Sequence, residues 1–217
     1  ENITSLNNQI KNICNNLPAL NIVRDNNLLQ YTINRTVKFM KNKEKFIVFG
    51  TGGSNLGARA LTNICIDKVN SIFFFDNIDP FYFQNQIMNF DIKSTGFIVI
   101  SKSGTTPETL SQFGSVINIA KEKNILDILF ANSLVITEFK NSPLYNIAKK
   151  NNCNLLEHKK DIGGRYSIFS NVGMIPAIIA GLDVKKIHQG ALSIIDKQNF
   201  DDLFKFAQIF KFILNNK

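Results

Sequence analysis

Five short, unbroken apolar runs, separated by helical patterns, constrain this chain more than any other feature. They read Phe46-Ile47-Val48-Phe49, Ile72-Phe73-Phe74-Phe75, Phe97-Ile98-Val99-Ile100, Leu134-Val135-Ile136-Thr137 and, more weakly, Asn154-Leu155-Leu156-Glu157. A strand without polar alternation is buried on both faces, and strands that alternate with helices pair in parallel. Helices are expected at about 54–65, 80–89, 107–129 and 142–151. Parallel neighbours need crossovers, and crossovers are right-handed. The expected fold is therefore α/β, a three-layer αβα sandwich on a parallel five-stranded sheet.

The flanks read differently. Residues 1–40 are Asn-rich with spaced Ile and Leu, as in a helical arm, and residues 41–183 make the body. The stretch 172–181 is nearly all apolar, which predicts a helix buried in the core rather than at a subunit contact. Residues 184–217 are expected to be further helices. In the last of them Phe200, Leu203, Phe204, Ala207, Phe210 and Leu214 form one stripe. The chain starts at Glu1 without an initiator Met and stops just after that stripe. It is expected to be a piece of a longer protein, and the bare stripe to drive association.

Charge and cysteine content narrow the partners. The net charge of +8 suits an anionic ligand, yet no stretch packs five or six basic residues together. Lys spread over solvated helix faces is the plainer account, so nucleic acid is not expected. Cys14, Cys65 and Cys153 are odd in number and lack metal-ligand spacing. Buried free thiols in a reducing cytosol follow, and no metal site. No apolar run is long enough for a membrane span and no signal peptide is present, so the expected location is cytoplasmic.

In an open parallel sheet ligands bind beyond the carboxyl ends of strands, where the order reverses. Three turns there stand out. The first is Gly50-Thr51-Gly52-Gly53-Ser54-Asn55-Leu56-Gly57. Close glycines let main-chain N–H groups approach an anion at a helix start. No Lys-Ser or Lys-Thr pair completes a Walker loop, and Asn55 stands where a dinucleotide motif wants its third glycine. A ligand-free tight turn is the other reading. The second is Ser101-Lys102-Ser103-Gly104-Thr105-Thr106-Pro107-Glu108-Thr109, with five hydroxyls in nine residues. That exceeds what helix capping needs and suits one terminal phosphate on a small molecule. In the third, Asp161-Ile162-Gly163-Gly164-Arg165-Tyr166-Ser167, an Arg beside paired glycines either reaches the same cleft or sits in a surface turn.

Together, GTGGSNLG, SKSGTTPET and GGRYSIFSNVGMIPAIIAGLD resemble, in order, three signature regions of the glucose-6-phosphate isomerases of the sugar-isomerase (SIS) domain superfamily. The likeness runs from about Lys45 to Asp183. It implies an SIS domain at 41–183 and a sugar-phosphate substrate. Gly53 and Ser54 would line the sugar cleft, and Ser101, Ser103, Thr106 and Thr109 would hold the phosphate beside the Lys102 backbone. Arg165 would lie over the reacting carbons and stabilise an enediolate oxygen. No cofactor is implied, and the full-length protein would be a homodimer. Asn55, where many members carry Asp, and Ala58, in place of a common Pro, depart from the pattern without touching phosphate binding.

The resemblance also implies a base Glu and a ring-opening His, both well downstream of the Gly-Gly-Arg segment. His158 lies in a basic lead-in, His188 on a Lys-rich helix face, and Glu108 favours a helix N-terminus. None is expected to be catalytic, so this stretch alone should be nearly inactive. SIS domains that merely sense sugar phosphates are the alternative; they have no use for Arg165.

Overall fold

A computed structural model describes residues 9, 12–64, 71–196 and 201–215, without the side chains of 201–204. Cys65, Phe200 and the side chains of Leu203 and Phe204 fall outside it. Strands β1 (Lys45–Phe49), β2 (Ile72–Phe75), β3 (Thr95–Ile100), β4 (Ser133–Thr137) and β5 (Asn154–Glu157) form one parallel sheet in the order β2-β1-β3-β4-β5. The chain steps from β1 out to β2, then returns past it to β3. That reversal leaves a crevice at the carboxyl ends of β1 and β3.

Side chains alternate across a strand, and the alternation splits the core into two layers. Ile47, Phe49, Phe97, Val99 and Val135 point to one face. Helices α4 (Pro80–Ile87), α5 (Pro107–Glu122), α6 (Leu126–Ala131) and α7 (Pro143–Lys150) cover it through Phe83, Phe113, Val116, Leu129 and Leu144. Phe46, Val48, Ile98, Ile100, Leu134, Ile136 and Leu156 point to the other. There α2 (Asn26–Met40) supplies Phe39 and α8 (Asn171–Ile179) supplies Val172, Ile175 and Ile179. Each large side chain buried this way contributes about 1.5–3 kcal/mol relative to exposure. β3 is buried at all six positions, as its unbroken apolar run requires.

Local signals fix the helix starts. Asp79 caps α4 by accepting from the Tyr82 N–H at 2.7 Å, and Ser170 caps α8 through Val172 at 3.3 Å. Proline opens α4, α5 and α7 at the first turn, where no N–H is missed. In the arm a helical stretch at 12–16 precedes a four-residue helix α1 (Pro18–Asn21), and α2 packs on α8. There the Thr32 hydroxyl donates to Asn171 Oδ1 at 2.6 Å.

Two expectations need correction. Residues 107–129 are not one helix: α5 ends at Glu122, Asn124 turns left-handed at φ 56°, and α6 restarts at Leu126. Asn is among the few side chains that tolerate this conformation, and it commonly ends helices. The 54–65 region is a short helical turn, Gly52–Ser54, followed by α3 (Leu56–Thr62), which packs on α8.

The buried apolar helix is α8, and it is core. Helices α9 (Val184–Asp196) and α10 (Asp201–Asn215) follow. Phe206, Phe210, Phe212 and Leu214 of α10 are exposed. Cys153 is buried at the foot of β5, and burial pushes its thiol up to about 11; Cys14 is free and only half-buried. Among the described residues no helix is long and apolar enough to cross a membrane.

Candidate active site

A cleft of about 440 Å³ opens at the crevice beyond β1 and β3. Gly53, Ser54, Lys102, Ser103, Thr106 and Arg165 line it, so six of the eight residues named from sequence share one hollow. A larger hollow of about 490 Å³ between α4 and α5 mixes apolar side chains such as Phe83, Ile87 and Ile119 with polar ones such as Gln112 and Asn118, and takes in none of these loops.

The wall at the start of α5 carries the hydroxyls. Thr106 occupies the N-cap position of α5, but its side chain makes no capping bond. It lies 2.7 Å from Ser101 Oγ instead, and Ser101 Oγ also accepts from the Gly104 N–H at 3.1 Å. The first N–H groups of a sixteen-residue helix are thus left for an anion. Ser103 Oγ accepts from both the Thr105 N–H (3.2 Å) and the Thr105 hydroxyl (2.9 Å). Its own proton is therefore turned outward as a donor.

Ser101 and Thr109 stand apart from the lining. Ser101 is 1% exposed and acts behind Thr106. Thr109 lies within α5, fully buried, and its hydroxyl has no protein partner among the described residues. Asn55 is likewise buried, with both side-chain polar atoms unpartnered among the described residues.

The facing wall is the Asp161–Arg165 loop. Gly53 packs directly on it: a Cβ there would lie 2.3 Å from Gly164 C and 2.5 Å from Arg165 N. Backbone meets backbone, and only glycine permits that approach. Arg165 is exposed on the cleft, and no ion pair involves it among the described residues. A fixed cation thus faces a bank of hydroxyl and amide donors, an arrangement whose chemistry suits an anionic ligand.

Thr51, Glu138, Lys140 and Gly164 also line the cleft and were missed from sequence. Glu138 follows β4, which lies beside β3, so the sheet order places it there. Its carboxylate pairs with Lys140 at 2.6 Å and with Lys102 at 3.7 Å. The hydrogen bond from Lys140 holds its carboxyl below the usual range, against the opposing effect of burial. Nothing in the residues themselves marked Glu138 or Lys140; only the pairing of β4 with β3 brings them to Lys102.

Neither histidine sits on a solvated surface, contrary to the sequence reading of His188. His188 lies on the inner side of α9, with Nε2 3.1 Å from Phe169 O. His158 is 1% exposed behind Glu138, with Nδ1 3.2 Å from Lys159 O. Burial lowers both from the ordinary 6.5. Their folded values lie below the unfolded one, so acid favours the unfolded chain, which binds more protons. The stability they contribute is whole above about 6.5 and is lost as pH falls through that value towards the folded ones. Glu138, also lowered, adds a further loss below about 4.5. The melting temperature should be flat from about pH 8 to 7 and fall on acidification. A rise between about pH 7 and 5.5 in a circular-dichroism melt would contradict this.

Comparison with known proteins follows the same lines. The family described as Phosphoglucose isomerase matches residues 32–204. A probable glucose-6-phosphate isomerase of Methanococcus maripaludis is 36% identical over 192 residues, which cover 86% of this chain and 42% of that one. Among solved structures, a hypothetical protein of Thermus thermophilus superposes with a TM-score of 0.80 at 23% identity, covering 89% of this chain and 48% of its own. A glucose-6-phosphate isomerase of Chlamydia trachomatis gives 0.65 at 22% identity, covering 79% of this chain and 33% of its own. The two superpositions establish the fold. This chain spans less than half the length of each of these three proteins.

Proposed function

Because the chain belongs to the phosphoglucose isomerase family, we propose that it supplies the sugar-phosphate cleft of an aldose–ketose isomerase. The reaction is the reversible conversion of glucose 6-phosphate to fructose 6-phosphate, as in glycolysis and gluconeogenesis. One observation carries the reading. Hydroxyl-rich and glycine-rich turns from neighbouring strands converge on one cleft opposite an Arg without an ion-pair partner among the described residues.

The chemistry assigns each wall a task. Ser103, Thr106 and the N–H groups opening α5 hold the phosphate, with Ser101 and Thr109 supporting them from behind. Gly53 and Ser54 border the sugar. A base takes the proton from C2 and returns it to C1, while the hydroxyl proton passes from O2 to O1 through the enediol. Arg165 offsets the charge that gathers on the enediolate oxygen.

That base is not Glu138, whose carboxylate is spent on two lysines and held acidic. Proton transfer therefore falls to the part of the family's length that this chain does not span. The long form works in the cytoplasm as a homodimer, and the 217 residues alone turn over little or nothing.

A coupled assay on both forms tests the division. Turnover by the short chain near that of a protein of its relatives' length overturns it. In the long form, Arg165→Ala is expected to lower kcat by about 10²–10³-fold while phosphate affinity changes little. Unimpaired turnover would remove Arg165 from that role, whereas a long form whose Arg165→Ala variant keeps its ligand response and whose wild type shows no turnover would be a sensing cleft.

A further inference from the structure

The side chain of Lys102 leaves the phosphate loop and crosses to the opposite wall. Its Nζ donates to Lys160 O at 2.7 Å and to Ile162 O at 2.9 Å, with Glu138 Oε1 3.7 Å away. Two of the three donors of this ammonium are thus taken by the far wall, and Glu138 adds a charge contact at longer range. At its root Lys102 is equally fixed: its carbonyl accepts from the Glu138 N–H at 3.1 Å. Its far end grips the residues immediately before Gly163-Gly164-Arg165. Gly53 presses on that loop from the other side, so Lys102 completes a two-sided hold.

We propose that Lys102 is a positioning residue, a strap from the phosphate loop that holds Arg165 in place rather than a cation for the phosphate. Its importance for turnover rests on the function proposed above; its hold on the loop does not.

The test begins with the chain itself. Lys102→Met keeps the stem and removes the donors, so trypsin should cut after Lys160 and Arg165 about tenfold faster, since a loosened loop opens more often. Protection of the fold by inorganic phosphate should stay as in wild type. Lys102→Arg, which keeps donors, should restore slow cleavage. Unchanged cleavage in Lys102→Met, or a tenfold loss of phosphate protection, overturns the proposal. If Lys102→Met does not fold, Lys102→Ala, which also lacks the donors, takes its place and decides by the same criteria.

In the long form, Lys102→Met should lower kcat about tenfold or more with KM within about threefold, the pattern of a misplaced transition-state group. A raised KM at unchanged kcat also overturns the proposal. A wild-type long form without isomerase turnover removes the proposed function, while the cleavage result still decides the strap.

Discussion

Replacing Gly53 with Ala is expected to cost the long form about 10²-fold in turnover, because the two walls of the cleft can no longer meet. The new methyl carbon would stand 2.3 Å from Gly164 C and 2.5 Å from both Arg165 N and Gly164 O. Carbon atoms in contact sit about 3.5–4.0 Å apart, so the walls must part by more than about 1 Å. A displacement of that size at a reacting centre is enough to cost about 10²-fold in rate. No side-chain rotation relieves it, because all three atoms are backbone. Overpacking should also lower stability by about 1–3 kcal/mol.

Gly163→Ala supplies the comparison. Its methyl would meet only the Tyr166 ring, at 3.4 Å, which is ordinary contact. Steady-state kinetics and thermal melts of the two variants decide the matter. Gly53→Ala turning over within about twofold of wild type, or Gly163→Ala being the more damaged, would show that the walls do not depend on this approach.

The second large effect concerns folding. Gly173→Ala in α8 is expected to lower unfolding free energy by about 3 kcal/mol, the upper end of the overpacking range. A Cβ at Gly173 would fall 2.0 Å from Ile168 O and 2.7 Å from Ile168 C, again backbone. Helix α8 covers one face of the sheet together with α2, so it cannot move aside without opening the layer formed with Val48, Ile98 and Ile136. A domain is stable by only about 5–15 kcal/mol, and the loss would be visible in any denaturant titration. Gly190→Ala in α9 makes the same substitution where nothing lies within 4 Å. It should raise stability by about 0.5–1 kcal/mol, since glycine weakens a helix interior. Equal effects from the two would mean that helix propensity, not the contact with Ile168, governs Gly173.

How much of this was readable in advance depended on what each signal encodes. The five strands were legible because apolar runs report two-sided burial directly, and β2 and β5 match their expected bounds at both ends. The break after Glu122 was missed because apolar spacing continues across it into Leu126 and Leu129. Asn124, a residue suited to left-handed backbone, was the available warning. His188 was assigned to a polar face by its Lys neighbours. Counting four residues from buried Val184 would have turned it inward.

The candidate cleft was legible where loops carry unusual composition, as in the glycines after β1 and the hydroxyls after β3. It was not legible at Glu138 and Lys140, which look ordinary in sequence and enter the cleft only because β4 lies beside β3. Nor could composition show that Lys102 reaches away from its own loop. The paired glycines beside Arg165 drew attention, yet the closest backbone approach is made by Gly53 on the other turn.

The strand order has a consequence for how the molecule acquires its receptor. The two main ligand-facing turns follow Phe49 and Ile100, and they become neighbours only when β1 pairs with β3 across the intervening β2 excursion. Such long-range closure is the slow part of forming a parallel sheet. On the function proposed above, a nascent or refolding chain therefore offers a sugar phosphate no half-built foothold. Recognition begins abruptly, when the middle of the sheet zips, and binding competence reports on the completed topology rather than on any local piece of it.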